Sequence, residues 1–260
     1  MLLAIDIGNT QTALGLFDTS RPLESQLVHS WRMPTDASFT MDELHVRLVG
    51  YFEKDGFDLA CVDALAFCGV VPQLARAWRR LAEVLGAQMI AVGPETAAVT
   101  CVKAPNPAEV GADRIANATA AAAFYGAPSI VVDFGTATNI DVVDAEGYYI
   151  GGTISPGLRI SMDALTARAA KLASVPLEAP GRTIGRTTVE AVQSGAVVGA
   201  AAMAEGLVAR IKAELGAPEA LVIATGGLAG VVAEATEVFD VVDRQLTLKG
   251  ICEIYRRMTA

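Results

Sequence analysis

Histidine is nearly absent from this sequence, which has only His29 and His45 among its 260 residues. Zinc enzymes commonly use several histidine ligands, so the composition disfavours a His-rich metal centre. Cysteine is also scarce, with no C-x-x-C pair and no regular spacing, and we expect free thiols in a reducing compartment. The four cysteines are Cys61, Cys68, Cys101 and Cys252.

Basic residues are fewer than acidic ones: the sequence has 20 Lys and Arg and 29 Asp and Glu, which gives a net charge of −9. A negative surface disfavours nonspecific binding to nucleic acid or to anionic membranes. No signal-peptide pattern is visible. The longest apolar stretch, residues 189–211, is interrupted by polar side chains and is expected to be a buried helix rich in Ala and Gly. The sequence therefore predicts a cytoplasmic protein that binds neither nucleic acid nor membranes.

Several catalytic signatures are missing too. No Gly-Lys-Ser or Gly-Lys-Thr triplet exists, which excludes a Walker A loop. Asp133-Phe134-Gly135 matches the D-F-G of protein kinases, but the H-R-D loop is absent. Aspartic proteases also carry two Asp-x-Gly segments, but theirs have Thr or Ser in the middle, whereas this chain has Ile7 and Phe134. These enzyme classes are therefore excluded.

A repeated β-hairpin is the main pattern that the sequence does contain. One copy passes from an apolar strand through Asp6-Ile7-Gly8-Asn9-Thr10 into a second apolar strand. The other copy does the same through Asp133-Phe134-Gly135-Thr136. Alternating apolar residues around a Gly-containing bend are typical of a hairpin. Two copies, each with an Asp before the turn, indicate a duplicated domain with a shared cleft.

The remaining segments alternate between strands and helices, which is typical of α/β domains with mixed sheets. We predict an N-terminal domain over residues 1–127 and a C-terminal domain over residues 128–260, with no flexible linker between them. The glycines of the long Ala/Gly helix, Gly195, Gly199 and Gly206, are expected to permit close helix contacts.

The two turns have the composition of phosphate-binding loops. A Gly at the bend lets the backbone approach a ligand closely, and Thr hydroxyls and N–H groups can donate to phosphate oxygens. A carboxylate beside such a turn can hold a hydrated Mg²⁺ against a triphosphate. A third segment, Thr225-Gly226-Gly227, ends a strand and opens a helix, and its glycines are suited either to a nucleoside or to simple packing.

An Asp and an Arg stand together at a predicted helix start, Gly111-Ala112-Asp113-Arg114, after a Pro-rich loop. This pair suits a general base beside a clamp for an anion or carboxylate. It also suits a helix cap, with the Asp near the positive end of the helix dipole, and the local pattern alone favours the cap.

In order and spacing, these segments resemble type III pantothenate kinases. That family belongs to the superfamily of acetate and sugar kinases, actin and the heat-shock chaperone ATPases. The resemblance covers nearly the whole chain. Its matching segments are residues 6–10, 106–115, 132–138, 151–157, 193–195, 224–229 and 246–250.

The resemblance implies an α/β fold of two duplicated ribonuclease H-like (actin-like ATPase) domains, with mixed sheets flanked by helices and an active site in the interdomain cleft. It also implies phosphorylation of pantothenate by ATP to 4'-phosphopantothenate, the first step of coenzyme A biosynthesis. The implied cofactors are Mg²⁺ and a monovalent cation, K⁺ or NH4⁺, and the implied assembly is a homodimer whose active site is completed across the interface.

The resemblance assigns roles to particular residues. Asp113 would be the general base, and Gly111, Arg114 and Thr188 would bind the substrate, Thr188 from across the dimer interface. Asp6 would hold Mg²⁺, chiefly through water, and Asp133 would hold the monovalent cation. The implied ATP-binding residues are Asp6, Gly8, Asn9, Thr10, Gly135, Thr136, Thr138, Gly226 and Gly227.

This chain departs from the family pattern in a few places. Ala104-Pro105 stands where Tyr-Asp is common, and Cys68-Gly69 replaces a pair of serines. Two other functions stay open at this point. One is a catalytically weak, kinase-fold protein with a regulatory or accessory binding role, and the other is a related kinase with a different hydroxylated acceptor.

Overall fold

The computed structural model describes residues 1–69, 72–93, 96, 102–169 and 175–260. It divides the chain into two compact units, one of Met1–Phe124 with Thr247–Ala260 and one of Tyr125–Leu246. The three described cysteines, Cys61, Cys68 and Cys252, are free thiols. Cys101, also expected to be free, lies outside the described residues.

The order of elements follows the predicted alternation of strands and helices. The strands are β1 (Leu2–Ile7), β2 (Gln11–Phe17), β3 (Leu27–Pro34), β4 (Ala64–Gly69), β5 (Gln88–Ala91), β6 (Ser129–Phe134), β7 (Ala137–Val143), β8 (Tyr149–Pro156), β9 (Leu221–Thr225) and β10 (Val241–Val242). The helices are α1 (Met41–Lys54), α2 (Pro72–Leu85), α3 (Ala112–Ala120), α4 (Leu158–Arg168), α5 (Thr188–Gln193), α6 (Gly199–Leu215), α7 (Ala229–Ala233) and α8 (Leu246–Thr259). Two π-helical segments, Ala121–Tyr125 and Ser194–Val198, continue α3 and join α5 to α6.

Each unit contains a five-stranded sheet with the same connectivity. The first sheet has the order β3-β2-β1-β4-β5, and the second has the order β8-β7-β6-β9-β10. In both, a hairpin pairs antiparallel with its third strand, and the first hairpin strand pairs parallel with the next strand along the chain. The predicted duplication of a mixed sheet is confirmed by this shared order.

Strand β1 shows why the first sheet is covered on both faces. Successive strand residues point to opposite sides. Leu3 and Ile5 therefore join the apolar cluster that includes α1 and α2, whereas Leu2 and Ala4 join a second cluster that includes α3 and α8. Because both faces are buried, β1 is an almost continuous apolar run that ends in one carboxylate.

The C-terminal helix α8 packs with the first unit, so the predicted division into residues 1–127 and 128–260 differs from the observed units at this helix. The reason lies in its apolar side chains. Leu248, Ile251 and Ile254 are buried in the same cluster as Leu2 and Ala4 of β1. An apolar helix face must be buried against some sheet or helix, and here the first sheet provides the partner.

The long Ala/Gly helix is buried on one side only, which corrects the expectation of a buried helix. The helical stretch Thr188–Leu215 is the one described segment long and apolar enough to span a membrane by length and composition, and 33% of its most apolar window is buried. Its buried face contributes Ala201, Ala204 and Val208 to the core of the second unit. The opposite face carries the glycines discussed next.

The three glycines of this helix do not make the close contacts that the sequence predicts. A Cβ atom placed on Gly195, Gly199 or Gly206 would meet no atom of the described chain within 4 Å. All three are exposed. Their absence of side chains is therefore not explained by packing within one copy of the chain.

Candidate functional site

Asp6 is the second-last residue of β1, the central strand of the first sheet. It lies between Ala13 of β2 and Cys68 of β4 in the strand register. The Cys68 thiol, fully buried, donates a hydrogen bond to Asp6 Oδ1 at 3.3 Å. Burial raises the pKa of Asp6 to about 6, while the Cys68 hydrogen bond lowers it, the charge of Asp113 raises it and Arg32 lowers it. Asp6 is thus a partly desolvated carboxylate that ionises near neutral pH.

The turn after Asp6 presents its polar groups to solvent. Gly8 N–H donates to the Gln11 carbonyl at 3.1 Å and closes the turn. Asn9 and Thr10 at its tip are exposed. The Thr10 carbonyl accepts from Thr35 N–H at 3.0 Å, which ties the turn to the end of β3. The loop is therefore anchored by its backbone, and its side chains face outward, as a ligand-binding loop requires.

Asp113 lies in the first turn of α3, and the N-cap of this helix is Gly111. The Asp113 carboxylate accepts a hydrogen bond from Arg114 N–H at 2.9 Å. It is also near enough to Asp6 for its charge to raise the pKa values of Asp6 and Cys68. The structure thus brings Asp113 together with Asp6, which a cap role alone does not require.

Asp133 occupies the position in β6 that Asp6 occupies in β1. It is the second-last residue of the central strand, and its parallel neighbour is Thr225 of β9, as Cys68 of β4 is for Asp6. The turn after it is closed by Gly135 N–H, which donates to the Ala137 carbonyl at 3.0 Å. The two Asp residues predicted to be equivalent therefore occupy the same position in their strands, although the turn that follows Asp133 is one residue shorter than the turn that follows Asp6.

Two glycines are packed directly against the Asp133 turn. Gly226 has a φ of 92°, and a Cβ there would overlap the Asp133 carboxylate and the Phe134 carbonyl. A Cβ on Gly157 would overlap the carbonyl groups of Gly135 and Thr136. Both positions therefore require glycine. Any other residue would place its Cβ on these atoms, and at Gly226 it would also have to adopt an unfavourable positive φ. Gly227 has open space around it.

Thr138 and Thr188 both lie outside the two turns, Thr138 buried in β7 and Thr188 exposed on α5. Thr138 is buried and pairs with Phe134, whose ring belongs to the apolar core. Its hydroxyl therefore lies on the core side of β7, and it has no hydrogen-bond partner among the described residues. Thr188 is exposed at the first residue of α5, directly after the N-cap Thr187.

Cys68 and Arg32 lie near Asp6 in the candidate site, and sequence reasoning missed both. Cys68 entered only as a departure from the family pattern, and Arg32 was given no role. The order of the strands in the sheet could have identified both residues. If β1 is paired in parallel with β4, the residue opposite Asp6 is Cys68, and the residue two strands away on the same face is Arg32. Thr12, also unforeseen, shares a hydrogen bond with Thr35 at 2.9 Å beside the turn.

The donor set fits a Mg²⁺ ion that is shared with phosphates and water better than a fully protein-bound metal. No group of three or more His, Cys, Asp or Glu side chains that could hold a metal occurs in the part of the chain that the structure describes. Mg²⁺ in nucleotide enzymes needs only one or two carboxylates, since phosphates and water supply the other ligands. Asp6 and Asp133 can each provide one such carboxylate.

The type III pantothenate kinase family model matches residues 2–210. A type III pantothenate kinase from Thermomicrobium roseum is 46% identical over 260 residues, which cover 99% of this chain and 98% of the relative. One from Moorella thermoacetica is 42% identical over 100% of both chains. This chain belongs to the type III pantothenate kinase family.

Solved structures of other proteins share the fold of this type III pantothenate kinase family member. The activator of 2-hydroxyisocaproyl-CoA dehydratase from Clostridium difficile, with bound ADPNP, has a TM-score of 0.57 at 13% identity and covers 99% of this chain and 94% of its own. At that identity the likeness shows the fold alone. The predicted α/β fold of actin-like ATPases and sugar kinases is confirmed.

The family match includes both hairpin turns, Asp113 and Thr188, but it ends at residue 210. Gly226, which packs on Asp133, and the whole of α8 lie beyond the matched stretch. The full-length relatives do cover these residues.

Proposed function

We propose that this protein phosphorylates pantothenate with ATP, giving 4'-phosphopantothenate for coenzyme A biosynthesis. Family membership supports the reaction. The structural observation that carries the proposal is the equivalence of Asp6 and Asp133, each at the end of the central strand and beside a backbone-closed turn. Two such turns are what a triphosphate and its cations need, because phosphoryl transfer depends mainly on positioning and charge neutralisation.

Asp113 is the general base in this proposal. It would take the proton from the primary hydroxyl of pantothenate as that oxygen attacks the γ-phosphorus, while the bond from this phosphorus to the bridging oxygen breaks and ADP leaves. Arg114, the next residue on α3, would hold the pantothenate carboxylate or a phosphate, and Gly111 would allow close approach of the substrate at the helix start. Asp113 lies near enough to Asp6 for its charge to raise the pKa of Asp6, and this proximity supports a base placed beside the proposed Mg²⁺ ligand.

The hairpin turns would bind the ATP phosphates through backbone N–H groups and the side chains of Asn9, Thr10 and Thr136. Asp6 would hold Mg²⁺, which supplies charge neutralisation of the phosphates when bound. Asp133 would hold K⁺ or NH4⁺ beside the second turn, and Gly226 and Gly227 would lie against the nucleoside. Thr138 is the weakest member of the predicted set, because its hydroxyl lies on the core side of β7.

The reaction is tested by ADP release from the purified protein with Mg-ATP and pantothenate, in K⁺ and in Na⁺ buffers. We expect turnover that requires pantothenate and is faster in K⁺. Asp113→Asn should lower kcat by about 10²- to 10⁴-fold, the usual contribution of a general base, while the melting temperature stays close to wild type. An Asp113→Asn protein with most of its activity would remove Asp113 from the mechanism.

An absence of turnover would bear on the function of the whole protein, and not only on the role of Asp113. Folded protein with no turnover in either salt would favour the regulatory role or another acceptor. At present the intact Asp6, Asp113 and Asp133 favour the kinase over the regulatory role, because a protein that only binds has no need of a general base.

We also propose that the protein is a homodimer in which Thr188 reaches the partner's substrate. The exposed face of Thr188–Leu215 supports this assembly. Its small residues recur at steps of three and four, and the glycines among them have open space around them. A helix face of this kind lets a second helix approach closely, and the exposed Ile184 and Val189 at the same end add apolar area. The exposed small residues are Gly195, Gly199, Ala202, Gly206 and Ala209.

We propose that the protein acts in the cytoplasm and binds neither nucleic acid nor membranes. The net charge of −9 supports this part of the proposal, because both of those surfaces attract basic proteins. The half-buried helix Thr188–Leu215 is assigned to the dimer and not to a membrane, since its other face is part of the core of the second unit.

A further inference from the structure

Helix α8 makes an unusually close backbone contact with α3, the helix that carries Asp113. A Cβ atom on Gly250 would overlap the carbonyl group of Ala116. Ala116 and Gly250 therefore touch through their backbones, with no side chain between them. Only glycine allows two helices to approach this closely at one point.

A hydrogen bond lies next to that contact. The Thr247 hydroxyl donates to Asn117 Oδ1 at 2.8 Å, and the Asn117 side chain is buried. Asn117 follows Asp113 by one helical turn, so both residues lie on the same side of α3. The bond therefore holds α3 one helical turn after Asp113, the general base in the proposed function.

Apolar packing extends the contact on both sides. Leu248 and Ile251 of α8 are buried in the same cluster as Ile115 and Ala116 of α3. Further along, the Lys249 ammonium lies over the Phe124 ring, 5.4 Å from its centroid. Helix α3 is thus held by α8 from its first turn to the segment that follows its end.

We propose that residues 247–250 are a positioning element that fixes Asp113 and Arg114 through α3. The inference rests on the proposed function, because it assumes that Asp113 acts in the reaction. Thr247 and Gly250 touch no substrate in this proposal. They act by holding the helix, and a misplacement of about 1 Å at a catalytic group can cost roughly 10²-fold in rate.

The decisive comparison is Thr247→Val against Thr247→Ser. Valine keeps the shape and removes the hydroxyl, whereas serine keeps the hydroxyl. We expect Thr247→Val to lower kcat by about tenfold with little change in the KM for ATP, and Thr247→Ser to stay within about twofold of wild type. Assays well below the melting temperature separate this effect from unfolding. If Thr247→Val has the kcat of wild type, the proposal is wrong.

Gly250→Ala tests the backbone contact, with Gly50→Ala as its matched control. Gly50 is a glycine of helix α1 whose Cβ would meet nothing within 4 Å. Gly50→Ala should therefore keep full activity and melt at the same temperature or slightly higher. Gly250→Ala should lose kcat by at least about tenfold, since α3 must shift to admit the methyl group. If Gly250→Ala fails to fold, the Thr247 pair decides the question alone.

A measurement that needs no turnover keeps this inference separate from the proposed function. In hydrogen–deuterium exchange, Thr247→Val should speed exchange of the amides in residues 112–120, and Thr247→Ser should not. Unchanged exchange in Thr247→Val would overturn the positioning role even if the enzyme had no activity. Faster exchange together with absent wild-type turnover would instead overturn only the function assigned to Asp113.

Discussion

At the scale of single residues, the site keeps a charge where the fold would be more stable without one. The Asp6 carboxylate is partly buried at the end of β1, and burial raises its pKa from 3.8 to about 6. A raised pKa means that the folded protein disfavours the ionised form, so ionised Asp6 costs stability. Functional sites commonly hold such destabilising groups because the chemistry needs them.

We therefore predict that Asp6→Asn abolishes turnover and stabilises the metal-free protein. The gain at pH 7.5 is up to about 3 kcal/mol, since each unit of pKa shift corresponds to about 1.4 kcal/mol. The sign follows from linkage. The stability cost of Asp6 is absent below its unfolded pKa of 3.8 and is complete above its folded pKa of about 6.

Melting temperatures of wild type and Asp6→Asn, measured in EDTA across this range, check the prediction. The two curves should meet near pH 4 and separate as the pH rises to 6. A difference in melting temperature that is the same at pH 4 and pH 7.5 would show that titration of Asp6 is not its cause.

At the scale of elements, the hairpins could be predicted from sequence because their pattern is local. Alternating apolar residues and a Gly-containing bend specify both strands and the turn. The side of helix Thr188–Leu215 that is buried could not be predicted in the same way. Its two faces differ little in polarity, so only the tertiary partner decides which face enters the core, as Ala201 and Val208 do.

The same division between local and nonlocal information applies to the site. Asp6, Asp113 and Asp133 each stand in a recognisable local motif. Cys68 becomes a partner of Asp6 only through the parallel pairing of β1 with β4, which joins residues far apart in sequence. The contact of α8 with α3 was missed for this reason as well, although residues 246–250 had been singled out as a motif.

Helix α1 offers a prediction at this scale. Its N-cap Thr40 forms a capping box with Glu43, in which each side chain bonds the other residue's backbone N–H. Thr40→Ala should cost about 1 kcal/mol and lower the melting temperature by roughly 2–4 °C, because orphan N–H groups lose a partner. Thr40→Ser should keep the stability. Both variants should keep kcat, since α1 packs on the face of the sheet opposite α3.

At the scale of the whole molecule, the proposed dimer explains why the exposed face of Thr188–Leu215 carries glycines, since the partner subunit would pack closely against them. Gly206 can accept a side chain without a clash inside one copy. Gly206→Arg should therefore fold, but sediment as a monomer and lose turnover, because the partner's Thr188 is no longer supplied. Gly50→Arg is the matched control and should remain dimeric. A dimeric, fully active Gly206→Arg protein would place the interface elsewhere.

Mixed dimers extend this prediction to the active site. An Asp113→Asn subunit and a Thr188→Ala subunit each lack one proposed group. If Thr188 acts on the partner's substrate, a dimer of the two has one complete site, and random mixing should restore about a quarter of wild-type turnover. If mixing restores nothing beyond the sum of the two proteins, Thr188 acts within its own subunit or has no role.

The placement of α8 also has a consequence for the order in which the protein is made. The second unit, Tyr125–Leu246, is one continuous segment, whereas the first unit needs residues from both ends of the chain. All residues of the later segment are therefore synthesised before the N-terminal sheet can bury Leu2 and Ala4 against Ile251 and Ile254. A released chain that ends at Leu246 should be cleaved by protease in the earlier half and resist it in the later half.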